Sequence, residues 1–232
     1  NAAIAAISWM ASKFVSKKIK IFQSVRGIEI RNNYRWRNFI YRLNFYDELF
    51  AVCEKGKDLL KEFGVKDHKI KVTYNGTDLK KFNLQKKDIY RKQIREEFNI
   101  SSESIVIGII GKQDGFKGHK ILIKVFSKLL EKYKNIHLIL VGEGKELKEN
   151  KQLVSDLRLE NKITFTGLRL DPERLHAAFD IFALLSKKNY EMFPNAIIES
   201  LSYGNCFVAT NTQGVSETAR GGSGIICECG DF

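Results

Sequence analysis

The chain has 232 residues, of which 44% are hydrophobic and 28% charged, which is enough apolar material for the core of one or two domains. No apolar run approaches the roughly 18 uncharged residues that a membrane-spanning helix needs. Residues 1–100 hold 22 Lys and Arg against 11 Asp and Glu, so most of the net charge of +12 lies there. This asymmetry predicts an anionic partner such as membrane lipid, a phosphorylated acceptor or nucleic acid; a solvated lysine-rich surface explains it equally well.

The four cysteines match no zinc-binding pattern, because only Cys227 and Cys229 are close in sequence. We interpret all four as reduced thiols of a cytosolic protein. A redox or metal-binding role for the C-x-C pair is the less favoured alternative.

The first twenty residues begin with an apolar helical pattern, and Lys17, Lys18 and Lys20 come after its apolar part. A secretory signal peptide has the opposite order, with its positive charges first. The pattern therefore predicts an internal helix of a longer protein, and the closing residues G-D-F likewise end without a final element.

The rest of the first hundred residues alternate between strands and a helix, and Arg31–Arg42 mixes arginine with aromatic residues. Residues 83–103 are polar, helical in propensity and rich in Lys and Arg, so they resemble a connector, and we expect a domain boundary near residue 100. The predicted strands are I-K-I-F-Q-S-V, E-L-F-A-V-C and K-I-K-V-T-Y; the predicted helix E-K-G-K-D-L-L-K-E-F closes at Gly64, and N-G-T-D forms a turn.

Residues 101–232 show a regular alternation of strands and helices, which predicts a parallel sheet with ligands at the carboxyl ends of its strands. The first two strands are continuous apolar runs, as expected for strands buried on both faces. The predicted strands are S-I-V-I-G-I-I-G, I-H-L-I-L-V-G, I-T-F-T-G, I-F-A-L-L-S and C-F-V-A-T, with helices in the four intervals between them.

Three loops should gather at that edge of the sheet, namely those at Lys112, at Gly142 and at Glu191. In G-K-Q-D-G-F-K-G-H, Lys112 and Lys117 flank glycines beside a helix start, a combination that can hold a diphosphate, although two solvated lysines are the plain alternative. The loop at Gly142 lacks the third glycine of a dinucleotide fingerprint. Residues Thr166 to Arg169 could border a nucleobase through their backbone groups.

The stretch Y-E-M-F-P-N-A-I-I-E-S places Glu191 and Glu199 on either side of Pro194. Proline suits the first turn of a helix, where its missing N–H costs nothing. A helix that begins near Pro194 would present free N–H groups to a phosphate, while each carboxylate could bind hydroxyl groups on a different part of a ligand. This arrangement fits a nucleoside diphosphate joined to a sugar.

The sequence E-M-F-P-N-A-I-I-E-S-L-S-Y-G-N-C-F-V-A-T resembles the E-x7-E block of family 4 retaining glycosyltransferases. V-G-E-G, F-T-G and N-G-T-D also follow that family's order and spacing, so the resemblance extends from about Phe22 to Asp231. It implies an α/β GT-B fold, in which two Rossmann-like domains face each other across a cleft without a metal or other cofactor. We expect a partial acceptor-side domain over residues 1–100 and a nucleotide-sugar-binding domain over residues 101–232.

The resemblance also implies roles for individual residues. Glu191 would contact the transferred sugar, Glu199 the ribose, and the pair Lys112 and Lys117 would neutralise the diphosphate leaving group. Backbone groups of Phe193, Pro194 and Asn195 would line the sugar and phosphates. The remaining expected substrate-binding residues are Gly111, Gly142, Thr166, Gly167, Arg169 and Glu217, the last with a structural role as a near-equal alternative.

The chemistry expected from the resemblance is transfer of a sugar with retention of configuration, through same-face attack assisted by the leaving phosphate. The donor would be a UDP-, GDP- or ADP-sugar. The acceptor would be a glycan or a lipid-linked sugar of cell-surface polysaccharide or lipopolysaccharide biosynthesis, at the cytoplasmic face of the membrane and with possible peripheral contact to anionic lipid. Nucleic acid is not expected as a partner.

Several features depart from the family pattern. Lys112 stands where Arg is usual, Met192 replaces a common Gly, and Arg26 occupies a position where many members have His. The N-terminal glycine-rich loop, the first strands and the closing C-terminal helix of the family are absent, so we expect an incomplete enzyme. Alternatives are a sugar-nucleotide epimerase or a phosphorylase relative on the same fold, although no pyridoxal-bearing lysine is evident, and a nucleic-acid-binding module that uses Arg31–Arg42.

Overall fold

A computed structural model describes residues 2–15, 19–27, 40–43 and 45–230, which group into two compact units. The first unit comprises Asn1–Asn75, Asn189–Phe193 and Thr212–Glu217. The second unit comprises Gly76–Lys188, Pro194–Asn211 and Thr218–Phe232.

The first unit contains a three-stranded parallel sheet in the order β1-β2-β3, and the sequence predicted all three strands. Leu49 and Leu60 are completely buried in its core. The second helix is closed, as predicted, by Gly64 at φ 84°. The elements are α1 (Ala2–Ser12), β1 (Phe22–Val25), β2 (Glu48–Ala51), α2 (Glu54–Glu62) and β3 (Ile70–Val72).

Most of the basic aromatic segment Arg31–Arg42 lies outside the described residues, and so do Lys17, Lys18 and Asp231. The nucleic-acid-binding alternative, which depends on that segment, therefore stays a prediction.

The second unit contains a six-stranded parallel sheet in the order β6-β5-β4-β7-β8-β9. Its helices are α3 (Lys87–Glu97), α4 (His119–Lys132), α5 (Leu147–Asp156), α6 (Pro172–Ala178) and α7 (Asn195–Leu201). Its strands are β4 (Ile105–Ile110), β5 (Ile136–Val141), β6 (Ile163–Gly167), β7 (Ile181–Leu184), β8 (Cys206–Thr210) and β9 (Gly224–Cys227).

Counted from β4, the strand order is that of the doubly wound dinucleotide-binding sheet, 3-2-1-4-5-6. The sequence predicted the first five of these strands. It missed β9, a four-residue strand that pairs with one neighbour only and has no fully buried residue, so it lacks the continuous apolar run that marked the others.

The division between the units falls after Asn75, whereas the sequence placed a boundary near residue 100. The polar segment between these points belongs to the second unit because α3 packs on α6. Arg95 fixes it further: its side chain is 5% exposed and donates to the carboxylate of Asp180 at 2.9 Å. A basic, polar composition indicated a connector, but one arginine of that segment is buried and forms an ion pair with a partly exposed aspartate.

The order of the strands determines where a ligand can bind in the second unit. The neighbours β4 and β7 form the point at which the chain reverses its direction of winding, since β4 continues to β5 on one side and β7 to β8 on the other. In such sheets a crevice opens beyond the carboxyl ends of the two central strands. The loops that follow β4 and β7 are therefore expected to form a ligand-binding site.

Candidate functional site

The loop that follows β4 carries the two predicted lysines. The stem of Lys117 lies across the end of the strand, because a Cβ atom placed on Gly111 would be 3.3 Å from Lys117 Cγ and 3.6 Å from its Cε. Lys117 is half-buried, whereas Lys112 is exposed. The same ammonium charge is therefore less screened by solvent at Lys117 than at Lys112.

Three of the predicted glycines meet at this edge of the sheet. Gly142 has φ 120°, and a Cβ on it would lie only 2.1 Å from the carbonyl oxygen of Gly111. Its own N–H donates to the carbonyl of Gly167 at 2.9 Å. A side chain at position 142 would thus separate the ends of β4, β5 and β6, so the glycine keeps the three strand ends together.

Gln113 connects the loops that follow β4 and β5 through its side chain, and the sequence analysis did not identify it. It is fully buried, its Nε2 donates to the carbonyl of Gly142 at 2.9 Å, and its Oε1 accepts from Asn150 at 2.9 Å. A polar side chain in a glycine-rich loop gives no sign of burial in the sequence. Only the packing of β4 against β5 shows that the residue is internal.

The loop after β4 also contacts the end of β7, which completes both sides of the reversal point. The N–H of Lys187 donates to the carbonyl of Phe116 at 2.8 Å. A Cβ on Gly118 would lie 2.2 Å from the carbonyl oxygen of Leu185, so only glycine permits this approach. Within the second unit the structure thus brings Gly111, Lys112, Lys117, Gly142 and Gly167 to one edge.

His119 is the first residue of α4, at the helix start that the sequence predicted beside this loop. It is 3% exposed, and burial lowers its pKa to about 4, so the ring is neutral near neutral pH. A buried neutral imidazole beside the loop is consistent with a helix-start residue.

The loop after β6 positions Thr166 and Arg169 differently. The hydroxyl of Thr166 donates to the carbonyl of Gly167 at 3.0 Å, next to the glycine cluster. The guanidinium of Arg169 donates to both Asp171 and Glu97, and these hydrogen bonds raise its pKa further. The side chain is thus held by carboxylates, and a contact between the backbone of Arg169 and a nucleobase stays a prediction.

Helix α7 begins at Asn195 with Pro194 as the residue just before it, within one residue of the predicted start. Glu199 lies in the middle of this seven-residue helix, and its side chain is 23% exposed. Its Oε2 is 3.4 Å from Nε2 of His176, a fully buried residue at the end of α6. The sequence analysis did not single out His176, although a histidine inside the apolar run R-L-H-A-A-F was a visible signal.

The segment that contains Glu191 belongs to the first unit, which fixes it through its backbone carbonyls. Glu191 is 9% exposed. Cys53, one of the donors, is buried, and this burial raises the pKa of its thiol to about 11. The contacts are Gln213 Nε2 to Asn189 O (3.2 Å), Thr212 Oγ1 to Glu191 O (2.9 Å), Cys53 Sγ to Met192 O (3.7 Å) and Asn75 Nδ2 to Phe193 O (2.9 Å).

Glu217, also in the first unit, caps the start of α2. Its carboxylate accepts hydrogen bonds from the backbone N–H groups of Glu54 at 3.0 Å and Lys55 at 2.9 Å, and from the hydroxyl of Tyr74 at 3.1 Å. A carboxylate at the amino end of a helix is favoured by the free N–H groups there. The structure therefore gives Glu217 the structural role that the sequence analysis had left open.

The described part of the chain contains no cluster of three or more His, Cys, Asp or Glu side chains that could hold a metal ion. In the same residues no helix is long and apolar enough to pass through a lipid bilayer. The four cysteines all lie among the described residues and form no disulfide bond.

Comparison with known proteins identifies relatives of this fold. The family described as glycosyl transferases group 1 matches residues 90–231. N-acetyl-alpha-D-glucosaminyl L-malate synthase of Bacillus anthracis is 26% identical over 229 residues, which cover 97% of this chain and 58% of that protein.

Solved structures share the fold at lower identity. HepE of Anabaena, crystallised with UDP, superimposes with a TM-score of 0.85 at 22% identity over 99% of this chain and 64% of its own. WaaG, a glycosyltransferase involved in lipopolysaccharide biosynthesis, gives 0.72 at 16% identity over 98% of this chain and 68% of its own. The chain spans less than two thirds of the Bacillus anthracis protein and of HepE.

These likenesses show that the chain has the parallel α/β fold of the GT-B glycosyltransferases. The family match covers more than half of the sequence and includes the loops after β4, β5, β6 and β7. The chain belongs to the glycosyl transferases of group 1.

Proposed function

We propose that the protein is a retaining glycosyltransferase of the family 4 type, which transfers a sugar from a nucleoside diphosphate to an acceptor hydroxyl. The observation that carries this proposal is the loop between β4 and α4, where the stem of Lys117 lies across Gly111 at the reversal point of a doubly wound sheet. Phosphate groups bind at such sites because backbone N–H groups and cations converge there.

Charge explains how this loop would favour the reaction. As the bond between the anomeric carbon and the phosphate oxygen breaks, its electron pair moves to the diphosphate, and the sugar gains oxocarbenium character. Lys117, with Lys112 as a weaker partner, stabilises the negative charge that develops on the leaving group. The acceptor hydroxyl attacks the same face of the sugar and gives its proton to the leaving phosphate, so configuration is retained.

The two glutamates have separate roles in this proposal. Glu199 binds the ribose hydroxyl groups of the nucleotide, and Glu191 binds the transferred sugar. UDP is the first nucleotide to test, because HepE has been crystallised with UDP and with UDP-glucose. Phe193, Pro194 and Asn195 contribute backbone groups to the sugar and phosphates, while Gly111, Gly142, Thr166, Gly167 and Arg169 border the nucleotide.

The proposed acceptor is a glycan or a lipid-linked sugar at the cytoplasmic face of the membrane. Support comes from WaaG, which is described as acting in lipopolysaccharide biosynthesis, and from the excess of positive charge in residues 1–100. Basic surfaces bind anionic lipid through electrostatic attraction.

Calorimetric titration of the full-length protein with UDP and UDP-glucose, and with the GDP and ADP equivalents, tests the donor. We expect Glu199→Ala to weaken binding of both UDP and UDP-glucose, because both contain the ribose. Glu191→Ala should leave UDP binding intact and weaken only the sugar-containing ligand. Glu131→Ala, which removes an exposed carboxylate on α4, is the matched control and should change neither.

The proposal fails if the folded protein binds none of these nucleotides, or if both glutamate variants bind and transfer like the wild type. With an acceptor in hand, the anomeric configuration of the product by NMR decides retention, and inversion would contradict the proposed mechanism.

A further inference from the structure

Glu199 has one close polar neighbour whose presence the proposed role of that residue does not explain. His176, the third residue from the end of α6, is completely buried, and its Nε2 lies 3.4 Å from Glu199 Oε2. The Glu199 side chain itself is 23% exposed. A carboxylate at the surface is thus backed by an imidazole that solvent cannot reach.

The imidazole is held in an aromatic surrounding. The rings of Phe82, Phe179 and Phe182 lie with centroids 6.0, 5.6 and 5.2 Å from it. Neither ring nitrogen has a hydrogen-bond partner of good geometry among the described residues. A buried polar atom in this condition is costly and calls for an explanation, and the carboxylate of Glu199 provides one.

Burial lowers the pKa of His176, and the interaction with Glu199 opposes that effect. A neutral imidazole has one N–H donor and one acceptor nitrogen, and a carboxylate can only accept. The ring nitrogen that faces Glu199 is therefore the one that carries the proton. A small approach from 3.4 Å, within side-chain freedom, would give a charge-assisted hydrogen bond.

The backbone of His176 is fixed as well. Asn205 Nδ2 donates to the carbonyl of His176 at 2.7 Å and to the hydroxyl of Ser200 at 3.2 Å, which connects the end of α6 to α7. Lys87 in turn donates to the side-chain oxygen of Asn205 at 3.0 Å. These contacts fix His176 in place, so it stays where it is if the carboxylate of Glu199 changes its rotamer.

We propose that His176 is a positioning residue that binds one carboxylate oxygen of Glu199 and directs the other oxygen toward the nucleotide. This inference rests on the proposed function, because it concerns the same ribose-binding carboxylate. It assigns Oε2 to the imidazole and leaves Oε1 for the ligand. His176 itself touches no substrate in this scheme.

Two substitutions distinguish the effect of the N–H donor of His176 on UDP affinity from the effect of the shape of its ring. His176→Phe keeps an aromatic ring among the phenylalanines but removes the N–H, and we expect UDP to bind about tenfold more weakly. His176→Gln keeps an N–H donor at similar reach and should retain most of the affinity. The matched control is His137→Phe, which removes another buried histidine of the same unit whose Nε2 contacts Thr164 at 2.8 Å; UDP affinity should not change.

A double-mutant cycle tests whether His176 acts through Glu199. In a Glu199→Ala background, His176→Phe should cause no further loss of UDP affinity. The inference is overturned if His176→Phe lowers UDP affinity in the Glu199→Ala background as much as it does in the wild type, or if His176→Phe alone leaves UDP affinity unchanged. In either case the binding of UDP by the wild type leaves the proposed function standing. If the wild type binds no nucleotide, both proposals fall together.

Nitrogen NMR of the histidine side chains gives an independent measurement on the wild type, which decides the matter even if His176→Phe does not fold. The expected result is an Nε2-protonated ring whose Nε2 signal moves in Glu199→Ala. A proton on Nδ1, or a spectrum that Glu199→Ala leaves unchanged, would contradict the proposed contact.

Discussion

At the scale of single residues, equal charges do not have equal environments. Lys112 and Lys117 occupy the same loop, but only Lys117 has its stem packed along the end of β4. A cation in a partly desolvated position interacts with a diphosphate several times more strongly than one surrounded by water.

Lys117→Met should therefore weaken UDP binding by roughly tenfold or more, and Lys112→Met by clearly less. Uridine, which lacks the phosphates, serves as the control ligand, and its affinity should be the same in both variants. Calorimetry measures all three values. Equal losses in the two variants, or a loss that appears with uridine as well, would contradict a phosphate-binding role that depends on burial.

At the scale of elements, the segment Asn189–Phe193 is held by hydrogen bonds that side chains donate to its backbone carbonyl groups. Side chains from three separate parts of the first unit donate to it, and the hydroxyl of Thr212 donates to the carbonyl of Glu191 itself. Helix α7, which follows in the sequence, has only seven residues. The position of Glu191 thus depends on the surrounding unit more than on the helix that the sequence emphasised.

Thr212→Val replaces that hydroxyl with a methyl group of similar size, at a position that is 6% exposed. We expect a loss of about 1 kcal/mol in stability and weaker binding of UDP-glucose relative to UDP, because the backbone of Glu191 loses its donor. Thr164→Val is the matched control: it removes a hydroxyl that contacts His137 and should lower the melting temperature without changing the ratio of the two affinities. An unchanged ratio in Thr212→Val would show that this hydrogen bond does not position Glu191.

At the scale of the whole molecule, the charge is divided unevenly along the chain, with most of the excess of Lys and Arg in residues 1–100. Near α1 this charge accompanies exposed apolar side chains, among them Ile7 at 62% and Phe14 at 91% exposure. Apolar side chains next to lysines are the combination that binds the surface of an anionic membrane.

The prediction is that the full-length protein co-sediments with vesicles that contain phosphatidylglycerol, much less with vesicles of phosphatidylcholine alone, and that added salt weakens the binding. Lys13→Glu with Lys20→Glu should reduce it. Lys124→Glu with Lys128→Glu, the same charge change on exposed positions of α4, should not. Equal binding to both lipids, or an equal loss in the control pair, would refute a membrane contact in this region.

The sequence by itself determined most of the second sheet and the residues near it. Buried parallel strands are continuous apolar runs, and glycines and lysines at their ends are visible in the sequence, so five strands and the loops at Lys117, Gly142 and Gly167 were predicted correctly. The edge strand β9 lacked such a run, and α3 was taken for part of a connector because its composition is polar.

Only the tertiary structure decided which polar residues support the candidate site. Gln113, Asn75, Thr212 and His176 each contact a group between 21 and 118 positions away along the chain. Folding alone brings these groups together, as the separation of 118 between Asn75 and Phe193 illustrates. Local patterns report hydrophobic periodicity and turns, since those depend on neighbouring residues. A hydrogen bond between distant residues depends on packing, and no spacing in the sequence encodes it.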